Sequence, residues 1–194
     1  MGESEARNRR PKPADGGRLD ASDWILAGLG QLAEQGIGGV KIETLARRLK
    51  VTKGSFYWHF KDRDAFLAAM LTDWRRRATL DIIDRLDRSD EPATERLIKL
   101  FRLPLTGKAS EWGADVELSI RLWGRQDGAA RAALAEVDAV RLRYIRGLLE
   151  ASGVERDEAE ARAILGYAYM RVAATLITGA DADLIRRCEA VLFR

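Results

Sequence analysis

Few residues in this chain could do covalent or metal chemistry. The 194 residues include one histidine, His59, and one cysteine, Cys188. A common zinc site needs about three or four His or Cys ligands, so this pair cannot supply one, and a lone cysteine excludes an internal disulfide. A thiol–imidazole pair would need these two residues to meet across the fold. The sequence contains no Gly-rich phosphate loop, no HExxH pattern and no Ser/His/Asp arrangement. It therefore reads as a protein without a catalytic centre, a metal or a cofactor.

Binding chemistry is concentrated between Val40 and Arg63, in the run VKIETLARRLKVTKGSFYWHFKDR. It reads as two short helices joined by a three- to four-residue turn at Lys50-Val51-Thr52, the helix-turn-helix arrangement. Ile42, Leu45, Ala46 and Leu49 share one face of the first of these helices. The second is expected to be capped by Thr52 and to run through Phe60. At about 100° per residue, Phe56 and Phe60 fall together on the inward face. Gly54 and Trp58 fall opposite, with Ser55 and Tyr57 on the flanks. An outward aromatic costs solubility and usually marks contact with a partner. Gly54 costs roughly 1 kcal/mol of helix stability against alanine but lets another backbone approach closely. Thr52 and Lys53 stand at the helix start, where free N–H groups favour phosphate. The major groove of double-stranded DNA is wide enough to admit such a helix.

Further helices must position this one. Asp20, with Asp23 three residues later, is expected to start a helix in which Ile25, Leu29 and Leu32 repeat, and Gly36 to end it. Asp62 is expected to cap a long linking helix over about 62–88, with Phe66, Met70 and Trp74 recurring every four residues. Pro92 sits near a further start. Ser110 opens a helix bearing Trp112, Val116, Ile120 and Trp123, and Asp127-Gly128 breaks it. A long helix over about 129–151 follows, with Val137, Tyr144, Ile145, Leu148 and Leu149 mainly inward. Asp157 with Glu160 forms an acidic capping pattern for a helix through about Ile177, and Asp181 opens the last one after Gly179. No alternating strand pattern of useful length is present. The fold class is all-α.

Composition agrees with a compact soluble protein. Hydrophobic residues make up 46% and charged residues 32%, enough apolar material for a real core. The longest apolar runs are far shorter than the ~18–20 residues of a membrane span, and the polar opening MGESEARNRRPK lacks a signal-peptide h-region, so a cytoplasmic protein is expected. Charge is uneven: residues 1–63 carry twelve Lys and Arg against eight Asp and Glu, and the remainder twenty-one against twenty-two. Residues 1–18, with Arg7, Arg9, Arg10, Lys12 and Arg18, read as a flexible basic arm, either a tail or a strand along phosphates or in the minor groove.

The stretch over about residues 19–75 resembles the DNA-binding domain of TetR-family regulators. The matching residues are Gly36, Leu45-Ala46, Val51, Gly54-Ser55, Tyr57 and His59-Phe60-Lys61. The resemblance implies that Lys53, Gly54, Ser55, Tyr57 and Trp58 face the groove and that His59 and Lys61 meet phosphates. One departure stands out: Val40-Lys41 occupies the place where the family usually has Thr or Ser opening the second helix. Lys41 either contacts phosphate itself or is solvated. The resemblance divides the chain into a DNA-binding domain over 19–65 and a helical ligand-binding and dimerisation domain over 66–194. It implies a homodimer through the last two helices, a palindromic double-stranded operator and repression relieved by a small effector. Ile164, Leu165, Ala168 and Val172, then Leu184, Ile185, Val191 and Leu192, supply apolar faces for that dimer. Phe101, Trp112, Trp123, Tyr144, Tyr167 and Met170 either line an effector pocket or fill a core. With few charged residues clearly on an inward face, an apolar or aromatic effector is expected.

Overall fold

A computed structural model describes residues 19–105, 108–176 and 182–193. Helix α1 (Ala21–Gln35) starts at Asp20, whose carboxylate accepts from the Ser22 and Asp23 amides while Asp23 reaches back to the Asp20 amide. This reciprocal cap satisfies N–H groups that a helix start leaves orphaned. The helix stops at Gly36, whose φ of 67° suits a residue without a Cβ. A 3₁₀ turn (Ile37–Gly39) leads to α2 (Ile42–Leu49), and Lys50 in the left-handed region turns the chain into α3 (Lys53–Tyr57).

Helix α4 (Arg63–Arg75) is capped by Asp62 through the Ala65 amide. A π turn (Arg76–Leu80) joins it to α5 (Asp81–Asp87). The expected linking helix is thus interrupted by one wide turn. Helices α6 (Ala93–Arg102), α7 (Lys108–Gly124), α8 (Gly128–Ala151), α9 (Arg156–Leu176) and α10 (Ala182–Phe193) complete the second half. No strand occurs among the described residues, so the all-α reading stands.

Three local expectations need correction. Thr52 makes no side-chain cap, and α3 ends at Tyr57 rather than Phe60, because the Phe56 carbonyl takes both the His59 and Phe60 amides and closes the last turn tightly. Helix α7 begins at Lys108, two residues before Ser110. Helix α9 begins at Arg156, and the Asp157 amide donates to Glu155 rather than Asp157 serving as the cap. Gly179, Asp181 and the N-terminal arm lie outside the described residues.

Two apolar clusters hold the helices together. The first runs from Trp24, Leu29 and Leu32 on α1 through Leu45, Phe56, Phe66 and Met70 to Val116, Ile120 and Trp123 on α7 and Leu134 and Val137 on α8. Helix α1 is therefore packed directly against α7, and α4 against α8. The second gathers Leu97, Leu100 and Phe101 of α6, Ile145, Leu148 and Leu149 of α8, and Ala163, Tyr167 and Met170 of α9. Helix α10 is pinned to α6 by the Arg102–Glu189 pair, two hydrogen bonds of 2.6 and 2.7 Å, and by Phe193 edge-on to Phe101.

Candidate nucleic-acid interface and the charged interior

Helix α3 has only five residues, too few to persist alone, so its neighbours must hold it. Phe56, fully buried, does this. Its ring meets Trp24 of α1 at 5.3 Å, Phe60 at 5.2 Å and Phe66 of α4 at 5.3 Å, mostly edge-to-face. Such contacts contribute about 0.5–1.5 kcal/mol each beyond burial. With Phe56 and Phe60 facing inward, Tyr57 is 59% and Trp58 82% exposed. Thr52, Lys53, Gly54 and Lys61 are exposed beside them, and Ser55 and His59 are half-buried on the flanks. A Cβ added at Gly54 would meet nothing closer than Thr52 Oγ1 at 3.6 Å, so packing does not require glycine there.

Exposed Lys53 and Lys61 stand at the two ends of this stretch, with the Glu43 carboxylate beside Lys53. Lys53 Nζ donates to Glu43 on α2 at 2.6 Å, and this bond, ahead of the charge itself, draws the Glu43 carboxyl below its usual range. A phosphate approaching Lys53 must replace Glu43, a cheap exchange because both groups are more than half exposed. Lys41 is exposed at the α2 start and forms no side-chain cap. Arg47 in the last turn of α2 and Lys50 at its C-cap, which the sequence reading did not single out, are also exposed. A helical wheel separates Arg47 from Arg48, which turns back to Glu34 with two 2.8 Å bonds. Arg63 donates to the carbonyls of Val40 and Ile37, tying the start of α4 to the turn before α2.

The six aromatic and thioether candidates are only partly brought together. Phe101, Tyr167 and Met170 are buried in the second cluster, with half-buried Tyr144 packed beside them. Trp123 belongs to the first cluster, and Trp112 is 41% exposed on α7. An open cleft of about 480 Å³ lies elsewhere, lined by Ile82, Arg85 and Leu86 of α5 and Lys99, Arg102 and Leu103. The interior also departs from the expectation of few inward charges. Glu117 of α7 is buried and takes Arg141 of α8 at 2.8 Å, Arg171 of α9 at 2.5 Å and Arg121 at 3.0 Å. Arg121 also pairs with Asp138 at 2.7 Å. The Tyr167 hydroxyl donates to Asp138 at 2.6 Å and accepts from Arg141 at 3.0 Å. Burial would raise the Glu117 carboxyl, but the charges of Arg141 and Arg171 outweigh it and hold the group at about 2. Arg141 also donates to Thr79 Oγ1 at 3.0 Å and to the Ala78 carbonyl at 2.9 Å, both in the π turn.

Residues 25–70 match the family described as bacterial regulatory proteins, tetR family. Over 53 residues the chain is 42% identical to the tetracycline repressor protein class G of Vibrio anguillarum, an alignment covering 27% of this chain and 25% of that protein. Curated similarity thus spans about a quarter of that relative's length. A transcriptional regulator from Rhodococcus sp. Rha1 superposes with a TM-score of 0.71 at 20% identity, over 90% of this chain and 94% of its own. A protein from Saccharomonospora viridis, solved in complex with choline, gives 0.71 at 19% identity over 88% and 93% of the two chains. At such identities these structures establish likeness of fold.

Proposed function

We propose that the chain is a member of the tetR family of bacterial regulatory proteins, which residues 25–70 match, and that it acts in the cytoplasm as a dimeric, sequence-specific repressor. A DNA-binding domain over residues 19–65 reads one half of a palindromic operator. The domain over 66–194 pairs two subunits through α9 and α10 and releases the operator when it takes up a small effector. The observation that carries this reading is the outward pair Tyr57 and Trp58 at the end of a helix already anchored by Phe56. Large aromatics held outward on a rigid element, beside exposed Lys53 and Lys61, form a surface suited to base edges with phosphates on either side.

Dimerisation is supported by apolar side chains left on the outside of the last two helices. Ile164 and Leu165 are 56% and 63% exposed on α9, and Val191 is 79% exposed on α10. Closed twofold pairing would bury such faces and set two recognition helices at half-sites about one helical turn apart, or a multiple of it. The effector acts by favouring a conformation whose two helices no longer match that spacing, which requires different affinity for the two states. Among the described residues no helix is long and apolar enough to cross a membrane.

The test is fluorescence anisotropy with duplexes from the DNA flanking the protein's own gene, beside a scrambled duplex, at two salt concentrations. Tight, sequence-selective binding that weakens steeply with salt is expected, with two chains per site. Tyr57→Ala and Lys53→Ala should lower that affinity by about tenfold or more each without changing the circular dichroism spectrum. Equal affinity for the operator and the scrambled duplex in every flanking fragment would overturn sequence-specific control of the neighbouring genes.

A further inference from the structure

We propose that the arginines around Glu117 form the seat of a small organic carboxylate, and that Arg141 relays its binding to the linking helix. The inference rests on the repressor reading for its consequence, but the site itself stands on its own chemistry. Three guanidinium groups from three helices, Arg121, Arg141 and Arg171, converge on two carboxylates, Glu117 and Asp138. Among these five side chains the positive charges outnumber the negative by one, and an added carboxylate would balance them.

A second observation points the same way. The Nε of Arg171 is buried and finds no acceptor among the described residues, although a guanidinium presents donors in a fixed fork that matches an oxyanion. Glu117 already shows which chemistry the forks accept, since it is an internal carboxylate held by three of them. The side chains of Arg121 and Arg171 keep 34% and 27% of their exposure, so the cluster can be reached from solvent. The Tyr167 ring lies 5.2 Å from the Arg171 guanidinium and 6.0 Å from that of Arg141, cation–π contacts that hold both forks in place. A cationic ligand such as a quaternary amine would be repelled here.

Arg141 gives the site a readout. The guanidinium that faces Glu117 also holds Ala78 and Thr79 in the π turn, where α4 hands over to α5. π turns are wider than the α-helical repeat and often mark functional positions. A carboxylate that recruits Arg141 withdraws those two hydrogen bonds, and the angle at which α4 presents the recognition unit is then no longer fixed.

Sodium acetate, sodium benzoate and inorganic phosphate are titrated into the full chain at constant ionic strength made up with chloride. The guanidinium Nε–H signals of 15N-arginine-labelled wild-type protein and the unfolding temperature are followed. A carboxylate should shift the Arg171 Nε–H signal saturably and raise the unfolding temperature above the chloride control. Arg171→Gln should bind about tenfold or more weakly. Glu117→Gln, which removes the internal competitor, should bind more tightly. Unmoved Nε–H signals, stabilisation by phosphate alone, or equal affinity in Arg171→Gln and wild type would each overturn the site. These titrations contain no DNA, so their failure is distinct from failure of the repressor reading. With operator present, benzoate should weaken binding by wild type and leave Arg141→Lys insensitive. Equal weakening in both would overturn the relay.

Discussion

Gly54 and Glu117 are single residues whose roles separate stability from function. Gly54 sits on an exposed surface with open space where a Cβ would go. Gly54→Ala should therefore leave thermal stability unchanged or raise it, by up to about 1 kcal/mol. Operator affinity should fall, because the added methyl holds the backbone away from the duplex. Anisotropy and a melting curve on the same sample check both halves, and unchanged affinity would remove Gly54 from the interface. Glu117 behaves in the opposite way. Its folded-state pKa lies near 2, below the ordinary 4.5. A depressed carboxylate contributes stability that is complete above the unfolded value and is lost as pH falls from about 4.5 toward 2. The size is on the order of 3 kcal/mol. Glu117→Gln should show a correspondingly flatter loss of stability across that acid window, measured by urea unfolding at several pH values, while identical slopes would contradict the assignment. The outward position of Tyr57 and Trp58 was legible because outward aromatics break a two-face pattern. Glu117 and Arg141 were not read, although the signal exists. Val137, Asp138, Arg141 and Ile145 form one helical stripe, in which two charged residues share the face of buried apolar ones. A charge on such a stripe is explained only by partners on other helices, and a single helix does not reveal those.

At the scale of elements, the close fit of α1 on α4 decides whether the recognition unit holds its shape. A Cβ at Gly28 would fall 2.6 Å from the Phe66 ring and 2.8 Å from Met70 Sδ. Gly28→Ala should destabilise the protein by about 1–3 kcal/mol through overpacking, although alanine is the better helix former. Because Phe66 also touches Phe56 and Phe60, the shift should spread to α3. A melting temperature equal to or above wild type would show that α4 yields without strain. Caps and apolar repeats made α1 and α4 readable, since Asp20 and Asp62 each accept from an amide of the first turn, whereas Asp127, read only as a break, caps α8 in the same way. Expectations failed where the backbone rather than a side chain sets the boundary. The Phe56 carbonyl closes α3 early, and the π turn at Arg76–Leu80 continues a helical pattern that gives no sequence sign of a wider turn. The aromatic candidates scattered for a related reason. Their spacing marks inward faces but not which of two cores a face meets, so Trp123 and Phe101 belong to different clusters.

At the scale of the whole molecule, the question is why one small recognition unit would need a partner. Helix α3 offers five residues and the Trp58 cap after them, with Lys53, Tyr57 and Trp58 as the main reach, and a few contacts of about 1–3 kcal/mol each discriminate poorly among many competing sites. Joining two such units makes the second contact intramolecular and multiplies affinity by about 10²–10⁴, provided the geometry lets both engage. The exposed row of Ile164, Leu165 and Val172 on α9 lies on an element that also carries Arg171 to the charged cluster. In the proposed assembly the same helix therefore borders both the subunit interface and the effector seat, so a ligand can alter the spacing of the two recognition helices without touching them. Leu165→Glu isolates the pairing step. Leu165 is 63% exposed in the single chain, so the substitution costs a lone protomer little, but it would place two like charges in an apolar contact between protomers. Sedimentation should show a folded monomer with wild-type helicity, and operator affinity should fall by about a hundredfold or more. A half-site duplex, which engages one unit only, should bind the variant and wild type alike. A variant that remains dimeric would move the interface away from α9, and a monomer with undiminished operator affinity would show that each chain reads its DNA alone.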